Sequence, residues 1–331
     1  MQKLRFALVG CGLIGEKHAS IIVQLGKLEV VIDVLPDRVE KFASLYNAKG
    51  YNSINAFLEQ AYKVDVVVIC TPNGLHAEQA IACLEKGMHV LLEKPAAIHE
   101  KDIVSIQAAA SKSGKLVFPV MQNRFNTALI SIKDLLDNKL LGKVFSFQVN
   151  CFWNRPASYY ENSWHGDSAL DGGVLYTQLS HFIDILSWYF GECIAAKGFI
   201  EKLSTKEMDF EDTGNFVLKY NKGIIGSVNY TINTEPTNIE GSFALHTEKG
   251  TIKIGGTYLN KVEINTTSYE LSVESSKANE YGSYKGSGAY HEAIYKHLLL
   301  LFSKHSQYYT SLEEAAITIR AIEKMYLSVS I

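Results

Sequence analysis

Two patterns of apolar and polar positions divide this chain. Up to residue 120, short continuous apolar runs alternate with amphipathic stretches. The runs at 4–9, 28–33, 64–70, 89–92 and 116–120 predict strands, and the stretches 38–46, 75–85 and 101–111 predict helices between them. A run such as Val66-Val67-Val68-Ile69 offers no polar side to water, which suits a strand buried on both faces of a parallel sheet. Alternation of this kind predicts an α/β fold, a doubly wound parallel sheet with right-handed crossovers.

Beyond residue 120 the pattern changes. A helix is expected over 127–137, a long strand over 143–153, and a second helix over 175–190 that Gly191 stops. Two hairpin signals follow. The segments 215–220 and 224–232 flank Asn221-Lys222-Gly223, and 242–247 and 251–254 flank Glu248-Lys249-Gly250. Helices return at 290–302 and 311–326, after a Ser-, Gly- and Tyr-rich stretch at 275–288 that reads as a mobile loop. The expected division is therefore 1–120, a nucleotide-binding domain, and 121–331, an α+β domain with an open antiparallel sheet for substrate binding and oligomerisation. A length of 331 residues suits two domains of about 150 residues each.

Composition narrows the partners. The 35 acidic and 32 basic side chains leave a net charge of -3 without a basic block, which argues against nucleic acid and anionic membrane surfaces. The five cysteines are scattered and form no CxxC pair, which predicts reduced thiols in a cytoplasm and no metal site. The apolar strand begins almost at the first residue, where a signal peptide would carry a basic and then an apolar stretch. No apolar run reaches the ~18 residues that a bilayer span needs.

Candidate chemistry begins at the end of the first strand. Gly10-Cys11-Gly12-Leu13-Ile14-Gly15 has the GxGxxG spacing of a dinucleotide turn. Its glycines allow a tight turn at Gly10, close backbone approach to a pyrophosphate at Gly12, and helix–strand packing at Gly15. Asp33, ending the second strand, lies where a carboxylate holds a ribose 2′-hydroxyl and repels a 2′-phosphate, so NAD is expected over NADP. A plain glycine turn in an α/β domain is the other reading.

Further polar groups fall at strand ends, where open parallel sheets bind ligands. They are Thr71-Pro72-Asn73 with His76, Glu93-Lys94-Pro95, and Gln122-Asn123-Arg124. Lys94 has two readings. Desolvated beside a cationic ring, its pKa falls from ~10.4 toward the range of a general base; otherwise it is a solvated loop lysine. Pro95 restricts its backbone direction. His181 and Asp184 share a helix at one-turn spacing, so Asp184 either orients His181 or faces solvent, and His181 itself is either a site residue or a core histidine. His76 carries the same ambiguity. Trp153, Tyr159, Tyr160 and Trp164 either line a sugar or base site or pack in the core.

The N-terminal glycine motif, Glu93-Lys94-Pro95, and a helix behind Gly172-Gly173 that carries His181 and Asp184 together resemble the Gfo/Idh/MocA oxidoreductases over essentially the whole chain. Segments 122–126, 152–156, Tyr159-Tyr160, 164–166, 170–173 and 211–214 resemble the WlbA-like group of that family. The resemblance implies a Rossmann domain, NAD, and oxidation of the C3 hydroxyl of UDP-N-acetylglucosaminuronic acid for surface polysaccharide synthesis. It implies Lys94 and His181 as catalytic residues. It places Gly10, Gly12, Leu13, Ile14, Gly15, Asp33, Thr71, Asn73, His76, Glu93, Gln122, Trp153 and Arg155 at the cofactor. It places Lys94, Asn123, Arg124, Tyr160, Thr177, Gln178 and His181 at the substrate, with Arg124 a candidate to pair with a carboxylate or phosphate. Thr177 departs from the pattern, standing where inositol and simple-sugar enzymes carry Asp and WlbA-like enzymes often carry Asn. His291 and Tyr295 resemble a histidine–tyrosine pair of the group. A homo-oligomer, dimer or tetramer, is also implied. The competing expectations are an inositol or simple sugar dehydrogenase, and a non-catalytic NAD-binding regulator.

Overall fold

The computed structural model describes residues 3–272, 278–280, 285–304 and 310–329. The chain divides into two compact units: Met1–Met121 with His291–Ala316, and Gln122–Tyr290 with Ile317–Ile331. The first junction falls one residue from the expected boundary. The second unit is not one continuous stretch as expected, because 291–316 return to the first before 317–331 rejoin the second.

In the first unit the elements are β1 (Arg5–Val9), α1 (Leu13–Leu25), β2 (Lys27–Ile32), α2 (Pro36–Tyr46), β3 (Lys49–Tyr51), α3 (Ile54–Leu58), β4 (Val66–Ile69), α4 (His76–Glu85), β5 (His89–Leu92), α5 (Glu100–Ser113) and β6 (Val117–Pro119). The six strands form one parallel sheet in the order β3-β2-β1-β4-β5-β6, as the alternation predicts. The Val66–Ile69 run is β4, next to β1 near the sheet centre, with all four side chains fully buried. Pro119 is tolerated because β6 is an edge strand, where a missing N–H breaks no second ladder.

The second unit opens with α6 (Thr127–Asp137), whose N-cap Asn126 accepts from Ala128 N at 3.0 Å. It continues through β7 (Val144–Phe152), α7 (Val174–Thr177), α8 (Ser180–Phe190), β8 (Cys193–Glu201), β9 (Thr213–Tyr220), β10 (Ile225–Thr231), β11 (Glu240–Thr247), β12 (Gly250–Gly255) and β13 (Lys261–Asn265). The seven strands lie in the order β13-β12-β11-β7-β10-β9-β8. Neighbours are antiparallel except β7 and β10, which pair in parallel. The sheet is therefore mixed rather than purely antiparallel, while both expected hairpins form. Burial alternates along β9, with Gly214, Phe216, Leu218 and Tyr220 turned in. Helix α8 covers that inner face, its Phe190 ring meeting Phe147 and Tyr220 and its Tyr189 ring meeting Phe243. The outer face is open, with Phe199, Val217 and Ile225 exposed among Lys197, Asn215 and Lys219.

Of the stretch expected as a mobile loop, 275–277 and 281–284 lie outside the described residues. The rest contains two short antiparallel strands, β14 (Ala278–Glu280) and β15 (Lys285–Gly288). Helices α9 (His291–Lys304) and α10 (Leu312–Leu327) follow, and α9 packs on α1. All five cysteines are buried and unpaired. Among the described residues no helix is long and apolar enough to cross a membrane.

Candidate active site

The glycine turn is built as its spacing predicts. Gly10 sits at φ +95°, and a Cβ there would meet the Cys70 carbonyl oxygen at 2.6 Å, so glycine is required. At Gly15 a Cβ would collide with the Gly10 carbonyl, which is why α1 can start so close to β1. Gly12 is different: the nearest atom to a built Cβ is Arg38 Nη1 at 3.9 Å, so this side of the turn has room for a ligand. Gly12 is also the N-cap of α1 and contributes no side-chain cap, so the first-turn N–H groups at Leu13 and Ile14 form the positive end of the helix dipole. The construction fits a pyrophosphate.

Asp33 is buried at the end of β2. Its Oδ2 accepts Cys11 N at 2.8 Å and its Oδ1 accepts Leu35 N at 2.9 Å. Arg38 Nη1 stands 3.9 Å from Oδ2. The carboxylate is thus fixed against the glycine turn, in the position from which it can accept from a ribose hydroxyl.

The Glu93-Lys94-Pro95 turn at the end of β5 is held from both sides. Glu93 Oε2 accepts the Lys94 main-chain N–H at 2.9 Å. His76 Nδ1 lies 2.7 Å from the Pro95 carbonyl oxygen, and its Nε2 lies 2.9 Å from that of Thr71. His76 is therefore a clamp joining the ends of β4 and β5. Burial, partly offset by these two carbonyls, lowers its pKa below the ordinary histidine value. Thr71 donates to Gln79 Oε1 at 2.7 Å, and Asn73 is buried in the 3-10 turn that leads into α4. Lys94 itself is half-buried.

Three residues beneath Lys94 complete this unit. His18 Nε2 lies 2.9 Å and His291 Nε2 3.2 Å from Glu93 Oε1. Tyr295 OH lies 2.7 Å from His18 Nδ1. Nothing in the local sequence around Glu93 points to this cluster, although one signal exists for His18. It falls on the buried stripe of α1 with Gly15, Ala19 and Ile22, where an apolar side chain is expected.

In the second unit, the candidate residues fall into two groups. Gln122, Asn123 and His181 are buried, and Gln122 Nε2 stands 3.5 Å from His181 Nε2, the outer limit of a hydrogen bond. Thr177, four residues before His181, donates to Asp171 Oδ1, which ties it to the loop before the Gly172-Gly173 turn. Tyr160 is buried, and burial pushes its hydroxyl far above the ordinary tyrosine range.

The second group is committed to structure. Arg124 makes a bidentate pair with Asp184, Nε to Oδ2 at 3.0 Å and Nη2 to Oδ1 at 2.8 Å, and is 0% exposed. Thr318 donates to the same carboxylate at 3.2 Å. The expectation that Arg124 reads an anionic substrate group is corrected: its charge is already neutralised inside the unit. Asp184 neither orients His181 nor faces solvent. Arg155 bonds Gln178 Oε1 through Nε at 3.0 Å and Nη2 at 2.6 Å, and Nη1 bonds the Asn154 carbonyl at 2.7 Å. Gln178 in turn donates to Tyr159 OH at 3.1 Å. Trp153 is buried under the Arg155 guanidinium, 5.0 Å away, and gives its indole N–H to Thr257 O at 2.9 Å. These three residues, expected at cofactor or substrate, build the frame of the unit.

The family model of the oxidoreductase family with an NAD-binding Rossmann fold matches residues 4–120, and that of the GFO/IDH/MocA C-terminal domain matches residues 129–253. The WlbA dehydrogenase of Chromobacterium violaceum, crystallised with NADH and UDP-GlcNAcA, is 32% identical with a TM-score of 0.88, covering 99% of this chain and 94% of its own. WlbA of Bordetella pertussis, in complex with the same two ligands, is 28% identical with a TM-score of 0.88 over 99% of this chain and 95% of its own. An inositol 2-dehydrogenase of Mycolicibacterium gilvum is 28% identical over 62% of this chain and 57% of its own length. The chain spans about three fifths of the length of such curated relatives. With the parallel sheet, the glycine turn and the clamped Lys94 in place, these matches establish that the chain belongs to the Gfo/Idh/MocA oxidoreductase family and that its first unit is an NAD-binding Rossmann domain.

Proposed function

We propose that this protein is an NAD-dependent dehydrogenase that oxidises a ring hydroxyl of a nucleotide-sugar uronate, with C3 of UDP-N-acetylglucosaminuronic acid as the specific assignment. The observation that carries the reading is the Glu93-Lys94-Pro95 turn, whose main chain is held on both sides around one lysine at the carboxyl end of the sheet that carries the glycine turn. A dehydrogenase needs a base for the hydroxyl proton at such a place. NAD, when bound, supplies the acceptor for the two electrons of the alcohol. The glycine turn and the N–H groups at Leu13 and Ile14 hold its pyrophosphate, and Asp33 its ribose. Lys94 takes the hydroxyl proton, and His181, kept in place within α8 near Gln122, is assigned to orienting the hydroxyl.

The choice of substrate rests on the two WlbA dehydrogenases, both bound to UDP-GlcNAcA and both alike over nearly the full chain. The product would enter surface polysaccharide synthesis. An inositol or simple sugar is the second reading, favoured by the inositol 2-dehydrogenase relative. A homo-oligomer joined through a second copy on the outer sheet face suits the exposed Phe199, Val217 and Ile225; light scattering on the purified protein measures it.

The test is NADH formation with UDP-N-acetylglucosaminuronate, UDP-N-acetylglucosamine and myo-inositol, with a 2-ketoacid added to turn over tightly held NADH. Losing the partner of a bound carboxylate typically costs a few kcal/mol, so the uronate is expected to react about 10²-fold faster than the neutral sugar. Equal rates for the two UDP-sugars overturn the uronate assignment. Reaction of inositol alone replaces it with the second reading.

A further inference from the structure

The cluster under Lys94 brings together three parts of the first unit that are distant in sequence. His18 comes from α1, the helix that starts at the glycine turn. Glu93 ends β5. His291 and Tyr295 come from the first turns of α9, almost two hundred residues later. His18, Glu93 and His291 are 0%, 5% and 1% exposed.

The hydrogen bonds fix the protons. Both Nε2 atoms face Glu93 Oε1, an acceptor, so both carry a proton and donate. His18 Nδ1 is hydrogen-bonded to the Tyr295 hydroxyl at 2.7 Å. His291 Nδ1 has no partner among the described residues, which suits a bare ring nitrogen better than a buried N–H. Burial alone would raise the Glu93 pKa, but the two imidazole donors hold it well below the carboxylate range. Burial lowers that of His291, partly offset by Glu93. The cluster is thus a buried anion whose Oε1 accepts from two imidazoles and whose Oε2 accepts the Lys94 N–H.

We infer that Glu93, braced by His18 and His291, is the positioning residue for Lys94, and that its buried negative charge biases the lysine toward its ammonium form. The inference rests on the reading of Lys94 as the proton acceptor. A glutamine in place of Glu93 has only one oxygen. It cannot accept from two imidazoles and from Lys94 N–H at once, so either the brace or the Lys94 contact is lost. Other titratable groups that feel Glu93 include Lys17, Cys70 and His76. Burial pushes the Cys70 thiol up, so it adds no negative charge in place of the carboxylate, and burial lowers the His76 imidazole against the pull of its two carbonyls.

The same three side chains also have the composition of a metal site, their ligand atoms lying within 4.8 Å of one another. The N···O separations of 2.9 and 3.2 Å are hydrogen-bond lengths, and a protonated Nε2 cannot ligate. The hydrogen-bonded arrangement is therefore the one argued.

The experiment compares the full chain with Glu93→Gln, His291→Gln and His291→Phe, using kcat across pH, NAD affinity, thermal melting, and the metal content of the purified protein. Glu93→Gln is expected to lower kcat by about 10-fold to 10²-fold, the scale of a misplaced catalytic group, and the drop persists at saturating NAD. It is also expected to move the acid limb of the kcat–pH profile down by about 1 unit, because removing a carboxylate some way from an ammonium destabilises the charged form. His291→Gln keeps an N–H donor and is expected to retain more of kcat than His291→Phe. A folded Glu93→Gln with normal kcat and an unmoved profile overturns the inference, and so does a stoichiometric metal lost on substituting His291. Lys94→Met separates the two readings: if that variant stays active the base assignment itself fails, whereas an inactive Lys94→Met beside a normal Glu93→Gln removes only the positioning role.

Discussion

Glu93 in the first unit and Glu211 in the second are both 5% exposed, yet they hold their protons in opposite ways. Glu93 receives N–H groups from two imidazoles and from the Lys94 main chain, and stays well below the carboxylate range despite its burial. Glu211 receives mainly hydroxyls, Tyr230 OH at 3.0 Å and Tyr326 OH at 2.8 Å on the same Oε1, with main-chain N–H groups of Glu211 and Leu175 as lesser donors. For Glu211 burial outweighs both, and its pKa is pushed up from 4.5 to about 7. What separates them is the donor set. Two imidazole N–H donors keep an anion in the interior, while phenols as the leading donors leave the neutral acid competitive even with main-chain N–H groups nearby. The ionised glutamate adjoins the proposed base. The one with the raised pKa lies against the Gly173 turn, where a Cβ would collide with the Tyr326 hydroxyl.

Asp184 extends the comparison to a carboxylate paired with a permanent cation, and it carries the largest expected effect. Arg124→Met leaves Asp184 buried with the Thr318 hydroxyl still donating to it, and loss of one partner from such a pair typically costs about 3–5 kcal/mol. Urea melts at neutral pH measure it. A cost below about 1 kcal/mol, the scale of a surface pair, would show that the pair is solvated.

Glu211 gives the next effect, and its sign is opposite to that of Glu93. A group whose folded pKa is raised contributes stability that is complete below its unfolded value and lost as pH rises through the folded one. For Glu211 that window runs from 4.5 to about 7. At ~1.4 kcal/mol per unit, the loss across the window is roughly 3 kcal/mol. For Glu93, whose pKa is depressed, stability is present above the unfolded value and is lost only as pH falls below it. Melting of Glu211→Gln between pH 5 and 8 is therefore expected to lack the decline of the parent. An unchanged decline would place its origin elsewhere.

The parallel sheet was legible because β1, β4 and β5 are continuous apolar runs. Strands β3, β8, β13, β14 and β15 were not. β3 is only Lys49-Gly50-Tyr51, without an apolar run, and β8 carries a register shift between Cys193 and Ala195 that breaks its alternation. The site divides in the same way. The glycine turn, Asp33 and the Lys94 turn depend on spacing within a few residues or on one strand end, and local sequence carries that. Arg124 misled because its partner lies sixty residues away, and a lone arginine at a strand end does not announce an internal ion pair. The Glu93 cluster needs α1, β5 and α9 to meet, which no local pattern encodes.

The central claim is that Lys94 takes the proton in an NAD-dependent oxidation of a nucleotide-sugar uronate. Its most direct test is NADH formation by the parent and by Lys94→Met, at saturating NAD and UDP-N-acetylglucosaminuronate, with NAD affinity measured alongside. The parent is expected to turn over, and Lys94→Met to lose on the order of 10²-fold or more in kcat while still binding NAD. Near-normal turnover in Lys94→Met would contradict the claim.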